Sequence, residues 1–380
     1  MEILGNESIQ ELLFRAAEGE RLHHALLFHG PDGVGKRRMA FRLAMYRTCP
    51  QRLGGEGDCG GACPSCARMA RHYEKILVPG PDEAYEKQQH PDLFYLEPYA
   101  PDTGWILFGD INERGRKKSR GGRKVDGYYG SIRWLQERLR LKPHEAIGFT
   151  VIIDQCDRIQ HEARQSLLKV LEEPSPGCLF ILVTSKPDAL LATYRSRCQP
   201  VRFSRFGRQE LERILVERCD RSPADAALLA SVSGGSLGGA LSLDLDNWRE
   251  KRALALEMVR AAARPGWASR QTLMEMAGAI SATAKQWERV GRGVPRILGS
   301  LARDLSLLQS GAGGAMLANP DLAGELGRLA GELPAVDPRA AFGLADDVRQ
   351  GLERNHNRRL VCEMMLVRLS ELFGNGVAER

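Results

Sequence analysis

The sequence predicts a three-layer α/β domain with a phosphate-binding loop, followed by helical domains. Three observations support this fold class. The apolar run HHALLFHG leads directly into the glycine-rich segment GPDGVGK. Two further apolar runs, FTVIID and CLFILVTS, alternate with helical patterns, as buried parallel strands do. After residue 203 the strand-like runs stop and helical periodicity remains.

The length and composition indicate a globular protein of more than one domain. The chain has 380 residues, of which 43% are hydrophobic and 27% are charged. It has no apolar run of membrane-spanning length and no leader-like N-terminus, so we expect a cytoplasmic protein without a membrane partner. The net charge of +6 permits polyanion binding but is too small to indicate a dedicated nucleic-acid module.

The first elements form a helix, a strand, a loop and a helix. Ser8 is expected to cap the opening helix, and Ile9 and Leu12 fall on one face of it. The strand HHALLFHG then enters the glycine loop, and the run RRMAFRLAMYR reads as the helix behind the loop. A strand, a phosphate-type loop and a helix are the parts of a nucleotide-binding unit.

The glycine loop keeps most of the pattern G-x-x-x-x-G-K-[ST]. In that pattern backbone N–H groups surround phosphates, the lysine reaches the outer phosphate and the hydroxyl ligates Mg²⁺. Arg37 occupies the hydroxyl position, so Mg²⁺ is not expected to be held in the usual way. The alternative is a glycine-rich turn that binds nothing. The residues that keep the cradle are Gly30, Gly33, Gly35 and Lys36.

A cysteine cluster follows the loop helix at residues 49–66. Its spacing is C-x9-C-x3-C-x2-C, and glycine-rich turns separate the thiols. Four thiolates and no catalytic partner favour a closed, structural Zn²⁺ site. A redox pair of Cys63 with Cys66 and an iron–sulfur cluster are the alternatives. The predicted ligands are Cys49, Cys59, Cys63 and Cys66.

The middle of the chain is expected to supply a strand, HPDLFYLEP, and an amphipathic helix, SIRWLQERLRLKP. Between them, residues 114–124 are basic and glycine-rich, and we expect a solvated loop there. Contact of this loop with DNA phosphates is the alternative.

The next buried strand is expected to end in the acidic residue of the nucleotide site. The run VIIDQCD ends the strand at Asp154, where a Mg²⁺-binding carboxylate is expected. A hydrolysing ATPase usually has a glutamate next, but Gln155 stands there and does not act as a base. ATP binding is left open, because an arginine beside phosphates either neutralises them or fills their place.

Arg197 lies at the edge of the α/β domain, between the helix LLATYR and the strand QPVRF. An arginine at such an edge can stabilise charge on the transferring phosphate of a neighbouring subunit. From the residues alone, a surface salt bridge is the simpler interpretation. Short helices follow to about residue 245, and helical patterns continue to the end of the chain.

Taken together, these motifs resemble the clamp-loader subunits of bacterial DNA polymerase III. The resemblance covers most of residues 1–203 and rests on HHALLFHGPDGVGK, the cysteine insert, HPDLFYLEP, VIIDQCD, SLLKVLEEPSPGCLFILVTS and SRC. It implies an AAA+ α/β domain at 1–203 with a zinc module near 49–66. It also implies a small helical lid at 204–245 and a helical collar for oligomerisation at 246–380.

Within that family the chain resembles the delta-prime type more than the ATP-hydrolysing gamma/tau motor. The motor's loop ends in Ser or Thr and its strand acid is followed by Glu, whereas this chain has Arg37 and Gln155. The motor also has an arginine phosphate sensor in a motif like G-S-L-R, where this chain has Gly238. The resemblance then implies that Arg197 is an arginine finger offered to ATP on an adjacent motor subunit.

The resemblance also implies the partners. A five-subunit loader with gamma/tau and delta subunits is expected to open a sliding clamp and place it on primed DNA. Thr184 and Ser185 match the region of a polar phosphate sensor. Two other functions stay open: an active ATPase, either the gamma/tau motor or an enzyme that uses Asp32 or Asp157, and a zinc-dependent DNA-binding protein. The collar's interface residues and any accessory partners are not indicated by the sequence.

Overall fold

The protein divides into two compact units, each with its own hydrophobic core. The first unit contains residues 1–206 and 236–238, and the second contains 207–235 and 239–380. The basic segment at 114–124 lies outside the described residues. The computed structural model describes residues 3–19, 21–51, 59, 61–77, 90–98, 106, 132–144, 148–264, 267–283, 293–311, 317–337, 339–340, 343 and 358–373.

The first unit is built on a parallel sheet of five strands in the order β2-β3-β4-β1-β5. The strands are β1 (Ala25–His29), β2 (Leu93–Leu96), β3 (Thr150–Ile153), β4 (Leu179–Thr184) and β5 (Gln199–Arg202). The helices of this unit are α1 (Glu7–Glu18), α2 (Lys36–Thr48), α3 (Pro64–Leu77), α4 (Ile132–Arg138), α5 (His161–Glu172) and α6 (Ala192–Arg195).

Alternating side chains along the strands build one core on each face of the sheet. In β1, Leu26 and Phe28 join the core that contains buried residues of α1, α2 and α3. Ala25 and Leu27 join the opposite core, with α4 and α5. The parallel α/β prediction is therefore confirmed.

The prediction that Ser8 caps the first helix is wrong. Helix α1 begins after Asn6, whose backbone carbonyl accepts from the N–H groups of Ile9 and Gln10 at 3.0 and 3.1 Å. The amide side chain of Asn6 instead donates to the carbonyl of Val34, at 3.1 Å. A contact with a distant loop therefore takes the place of a local side-chain cap.

Helices are the only regular secondary structure in the described residues of the second unit, as predicted. Its core joins residues from α8 to α14, with Leu298 and Leu301 of α12 at 3% and 0% exposure. The boundary near residue 245 between a lid and a collar stays a prediction. No helix in the described part of the chain is both long and apolar enough to cross a membrane. The helices are α7 (Arg208–Cys219), α8 (Pro223–Val232), α9 (Leu237–Ser242), α10 (Leu245–Ala263), α11 (Trp267–Ser281), α12 (Val294–Gln309), α13 (Ala323–Glu332) and α14 (Arg358–Phe373); the first two residues of α9 belong to the first unit.

Candidate functional site

The predicted phosphate-binding loop joins the end of β1 to the start of α2. Gly33 and Gly35 have φ angles of 73° and 97°, which side chains with a Cβ rarely adopt. A Cβ on Gly30 would lie 2.1 Å from the carbonyl oxygen of Phe203, so this position also requires glycine. The glycines thus shape a tight turn at the N-terminus of α2, where backbone N–H groups and the helix dipole favour anions.

Lys36 lies inside this turn and is 6% exposed. Its ammonium donates to the carbonyl oxygens of Gly30 and Pro31, at 2.6 and 2.5 Å. The exposed carboxylate of Asp32 is 3.9 Å away. Burial lowers the pKa of Lys36, although the nearby carboxylates oppose that effect. The cation of the loop is therefore held by the loop's own carbonyl groups.

Arg37, in the hydroxyl position of the motif, forms an ion pair with the acid of β3. Its Nη2 lies 2.6 Å from Oδ2 of Asp154, which is 4% exposed. Tyr95 donates its hydroxyl to the same oxygen at 3.0 Å, and the N–H of Gln155 donates to Oδ1 at 3.0 Å. Burial and the charge of Asp154 raise the pKa of Tyr95, so that hydroxyl stays protonated. Both oxygens of the expected Mg²⁺ ligand are thus engaged by protein groups.

The other polar residues at the strand ends also have partners within the protein. Gln155 has a φ of 49°, and its side-chain oxygen accepts from Nη1 of Arg158 at 3.0 Å. Thr184 donates its hydroxyl to Asp157 at 2.5 Å. Ser185 lines a cavity of ≈ 790 Å³ with residues 30–32 and 202–205. Thr184, in the region of the expected sensor, therefore binds a neighbouring carboxylate.

Residues 236–238 contact the outer side of the loop within the first unit. The N–H of Gly238 donates to the carbonyl of Gly33 at 2.7 Å, and the hydroxyl of Ser236 donates to the carbonyl of Asp32 at 2.9 Å. A Cβ on Gly238 would lie 2.9 Å from the Cα of Gly33. A side chain at position 238 therefore requires a shift of the loop backbone.

The cysteine side chains converge as the sequence predicts. All four Sγ atoms lie within 4.8 Å of one another, and those of Cys49 and Cys63 are 4.0 Å apart. A tetrahedral site with metal–sulfur bonds of about 2.3 Å has edges of about 3.8 Å, so the cluster is close to that size. Although burial raises it, the pKa of Cys59 is lowered to about 6 by the N–H groups of Cys63 and Gly61. The arrangement offers four ligand atoms to one metal ion.

A hydrogen bond that the sequence did not reveal joins the cysteine cluster to the sheet. Ser65 lies between two of the cysteines, and its hydroxyl is 2.7 Å from Nε2 of His90, just before β2. The N–H of Asp92 donates to Nδ1 of the same ring at 3.1 Å, so Nε2 carries the proton. All three residues are buried. The segment HPD before the strand was the available signal, because Asp side chains often bond backbone groups and a histidine ring offers one donor and one acceptor.

Arg197 lies on the surface of the first unit, in the turn between α6 and β5. Its Nη2 is 2.5 Å from Oε1 of Glu172, and its Nη1 donates to the carbonyl of Thr193 at 3.0 Å. The next residue, Cys198, is 6% exposed and belongs to the core. Arg197 thus forms the surface salt bridge of the simpler interpretation, and its side chain is still 35% exposed.

Comparison with known proteins shows which family this chain is similar to. A family model described as "DNA polymerase III, delta subunit" matches residues 5–207. The delta-prime subunit of DNA polymerase III from Bacillus subtilis is 30% identical over 251 residues, which are 66% of this chain and 63% of that protein. The match thus spans less than two thirds of that relative. The Escherichia coli delta-prime subunit is 27% identical over 374 residues, 97% of this chain and 95% of that protein.

A gamma/tau subunit also matches this chain, over a shorter part. The gamma/tau subunit of DNA polymerase III from Mycobacterium tuberculosis is 27% identical over 247 residues. These residues are 64% of this chain and 36% of that protein. Because delta-prime and gamma/tau subunits both match this chain at 27% identity, the distinction between the two types depends on individual residues of the site.

Proposed function

This chain belongs to the delta-subunit family of DNA polymerase III, as a clamp-loader subunit, and we propose that it is of the delta-prime type and does not hydrolyse ATP itself. The ion pair between Arg37 and Asp154 carries this proposal. Hydrolysis on a P-loop needs a metal ion near the outer phosphates and a group that orients water. Here the guanidinium of Arg37 pairs with the carboxylate that would help to hold the ion, and Gln155 replaces the expected glutamate.

We further propose that Arg197 is an arginine finger for ATP on an adjacent gamma/tau subunit. The turn after α6 presents its guanidinium at the surface while Cys198 anchors the turn in the core. An arginine supplied in this way stabilises charge on the transferring phosphate and is worth about 10³ to 10⁵ in rate. This chain then contributes the cation, and the neighbour contributes nucleotide, metal ion and water.

The proposed assembly is a five-subunit loader that also contains gamma/tau and delta subunits. It opens a sliding clamp and places it on primed DNA in the cytoplasm. The AAA+ domain supplies the finger, and the helices from residue 246 onward act as the collar that joins the subunits. The loader rather than this chain alone provides the contacts with clamp and DNA.

The cysteine cluster is proposed as a structural Zn²⁺ site. The site has four thiolate ligands and no open coordination position; the ligands are Cys49, Cys59, Cys63 and Cys66. Such an ion crosslinks the end of α2 to the start of α3. It supplies stability and takes no part in phosphate chemistry.

The test compares ATP hydrolysis by the isolated chain with hydrolysis by a loader reconstituted with gamma/tau and delta subunits. We expect no turnover by the isolated chain. In the loader, we propose that the site served by Arg197 must hydrolyse ATP in every loading cycle, so Arg197→Ala is expected to lower kcat by at least about tenfold. Size-exclusion chromatography checks that the variant loader still assembles.

Arg195→Ala is the matched control. Arg195 lies two residues before the proposed finger, is 46% exposed and pairs with Asp188 at 3.6 Å. Its removal is expected to leave kcat unchanged. Turnover by the isolated chain that Lys36→Ala abolishes would instead establish the active ATPase. Strong, salt-dependent DNA binding by the isolated chain would favour the zinc-dependent DNA-binding protein.

A further inference from the structure

The last residue of α5 provides an acidic partner for Arg197. Oε1 of Glu172 lies 2.5 Å from Nη2 of the arginine, and the two side chains are 45% and 35% exposed. Pro174 follows shortly after the helix and prevents its continuation. The sequence KVLEEP therefore fixes where the helix stops and places a carboxylate beside the turn that carries Arg197.

Three acceptors hold the guanidinium from two sides. Glu172 accepts from Nη2, while the carbonyl of Thr193 and the hydroxyl of Ser196 accept from Nη1 at 3.0 and 3.4 Å. Among the residues that the structure describes, no acceptor is recorded for Nε of Arg197. The guanidinium plane is therefore oriented, and it keeps a donor for a further ligand.

We propose that Glu172 is a positioning residue for the arginine finger, an inference that rests on the proposed function of Arg197. A long arginine side chain has many rotamers, and docking to a phosphate restricts them. The ion pair restricts them earlier, when this subunit folds. The neighbouring subunit then meets a guanidinium that is already oriented.

The carboxylate of Glu172 also has an unfavourable electrostatic effect on Arg197, which is weaker than its effect on the orientation of the side chain. A carboxylate beside the guanidinium reduces the positive charge that a phosphate experiences. Glu172 is nearly half exposed, so water and salt screen this Coulomb effect. The orientation rests on short, directional hydrogen bonds to Glu172, Thr193 and Ser196, which solvent weakens less than it weakens the effect of the carboxylate on a more distant phosphate. Positioning therefore outweighs charge reduction at this site.

The experiment measures steady-state ATP hydrolysis by the reconstituted loader with Glu172→Ala, Glu172→Gln and Glu173→Ala. We expect Glu172→Ala to lower kcat about twofold to fivefold, as an exposed ion pair allows, with KM for ATP unchanged. Glu172→Gln keeps an oxygen acceptor in the same place and is expected to restore most of the rate. Glu173→Ala removes the adjacent exposed carboxylate, for which the described residues show no ion pair, and is expected to match the native loader.

The same substitution is then made together with Arg197→Ala. We expect Glu172→Ala to have no further effect in that background, because its role acts through the arginine. A faster rate with Glu172→Ala, an unchanged rate, or a loss that persists without Arg197 would overturn the positioning role alone. If Arg197→Ala itself leaves the rate unchanged, the finger is overturned and the role of Glu172 with it. The two failures are therefore distinguishable.

Discussion

The guanidinium of Arg37 lies 2.6 Å from the carboxylate of Asp154. The residue in the hydroxyl position of the loop motif is thus bound to the acid that follows β3. This ion pair joins α2 to the end of β3. It places a permanent cation beside the carboxylate that a hydrolysing relative would use for an exchangeable metal ion.

Arg37→Thr restores the hydroxyl of the motif and removes the partner of a buried carboxylate. Asp154 is 4% exposed, so leaving it unpaired is expected to lower the free energy of unfolding by about 1–3 kcal/mol. The estimate is below that for a fully buried pair because the Arg37 side chain is 32% exposed. Urea unfolding of the full chain measures the change. Arg37→Lys keeps the charge and is expected to lose less; equal losses would argue against an electrostatic role.

Gly238→Ala is expected to weaken the contact with the phosphate loop. The new Cβ would lie 2.9 Å from Cα of Gly33 and 3.0 Å from its carbonyl oxygen, so the loop must shift. We expect a destabilisation of about 1–3 kcal/mol, measured by thermal unfolding. Gly278→Ala is the control, because that position is in a helix with nothing within 4 Å of the added Cβ. It is expected to be neutral or stabilising by up to about 1 kcal/mol.

The cysteine cluster is expected to hold about one zinc ion per chain, measured by elemental analysis of the purified protein. Cys63→Ser removes one of the four ligands, so the zinc content should fall toward zero. The unfolding temperature should fall by about 4–10 °C, and a chelator should have the same effect on the native chain. Cys219→Ser lies outside the cluster and should keep the ion. Full zinc content in Cys63→Ser would contradict the assignment.

His72 is expected to make stability fall with decreasing pH. Burial lowers the pKa of its ring from 6.5 to about 4, so between these values the unfolded chain binds more protons than the folded chain. Stability is therefore lost as pH falls through this window, by at most about 1.4 kcal/mol per pH unit. His72→Phe keeps an aromatic ring beside Phe41 and Tyr95, whose centroids lie 5.6 and 6.0 Å away. The difference in unfolding free energy between native chain and variant should be independent of pH above 7 and should change as pH falls from 6.5 towards 4; a difference that stays constant over the whole range would contradict the prediction.

Local patterns in the sequence were sufficient to predict the parallel sheet, the glycine loop and the cysteine cluster. The strands are buried apolar runs, and the glycines and cysteines are close together in the chain, so their spacing carries the geometry. The pairing of Arg37 with Asp154 was not predicted, because it depends on where β3 lies relative to α2. The same applies to Glu172 and Arg197, which come together only after α5, β4 and α6 have packed.

The error at the first helix has the same physical origin. Ser8 has the correct residue type for a cap, and local propensity favours it. In the folded unit, Asn6 instead reaches the carbonyl of Val34 in the phosphate loop. The gain from a contact across the fold thus displaced a local preference, and a single sequence offers no measure of that gain.

The ion pair between Arg37 and Asp154 also bears on the evolutionary history of the site. A lineage that acquired a hydroxyl at position 37 would first leave a buried carboxylate without a cation, and so would lose stability before it gained chemistry. The gain would further require a base in place of Gln155, and an arginine sensor at position 238 would need space that the loop backbone now occupies. Each single step toward hydrolysis is therefore neutral or harmful by itself. The packing of the loop therefore opposes a stepwise change of this site into a hydrolysing one.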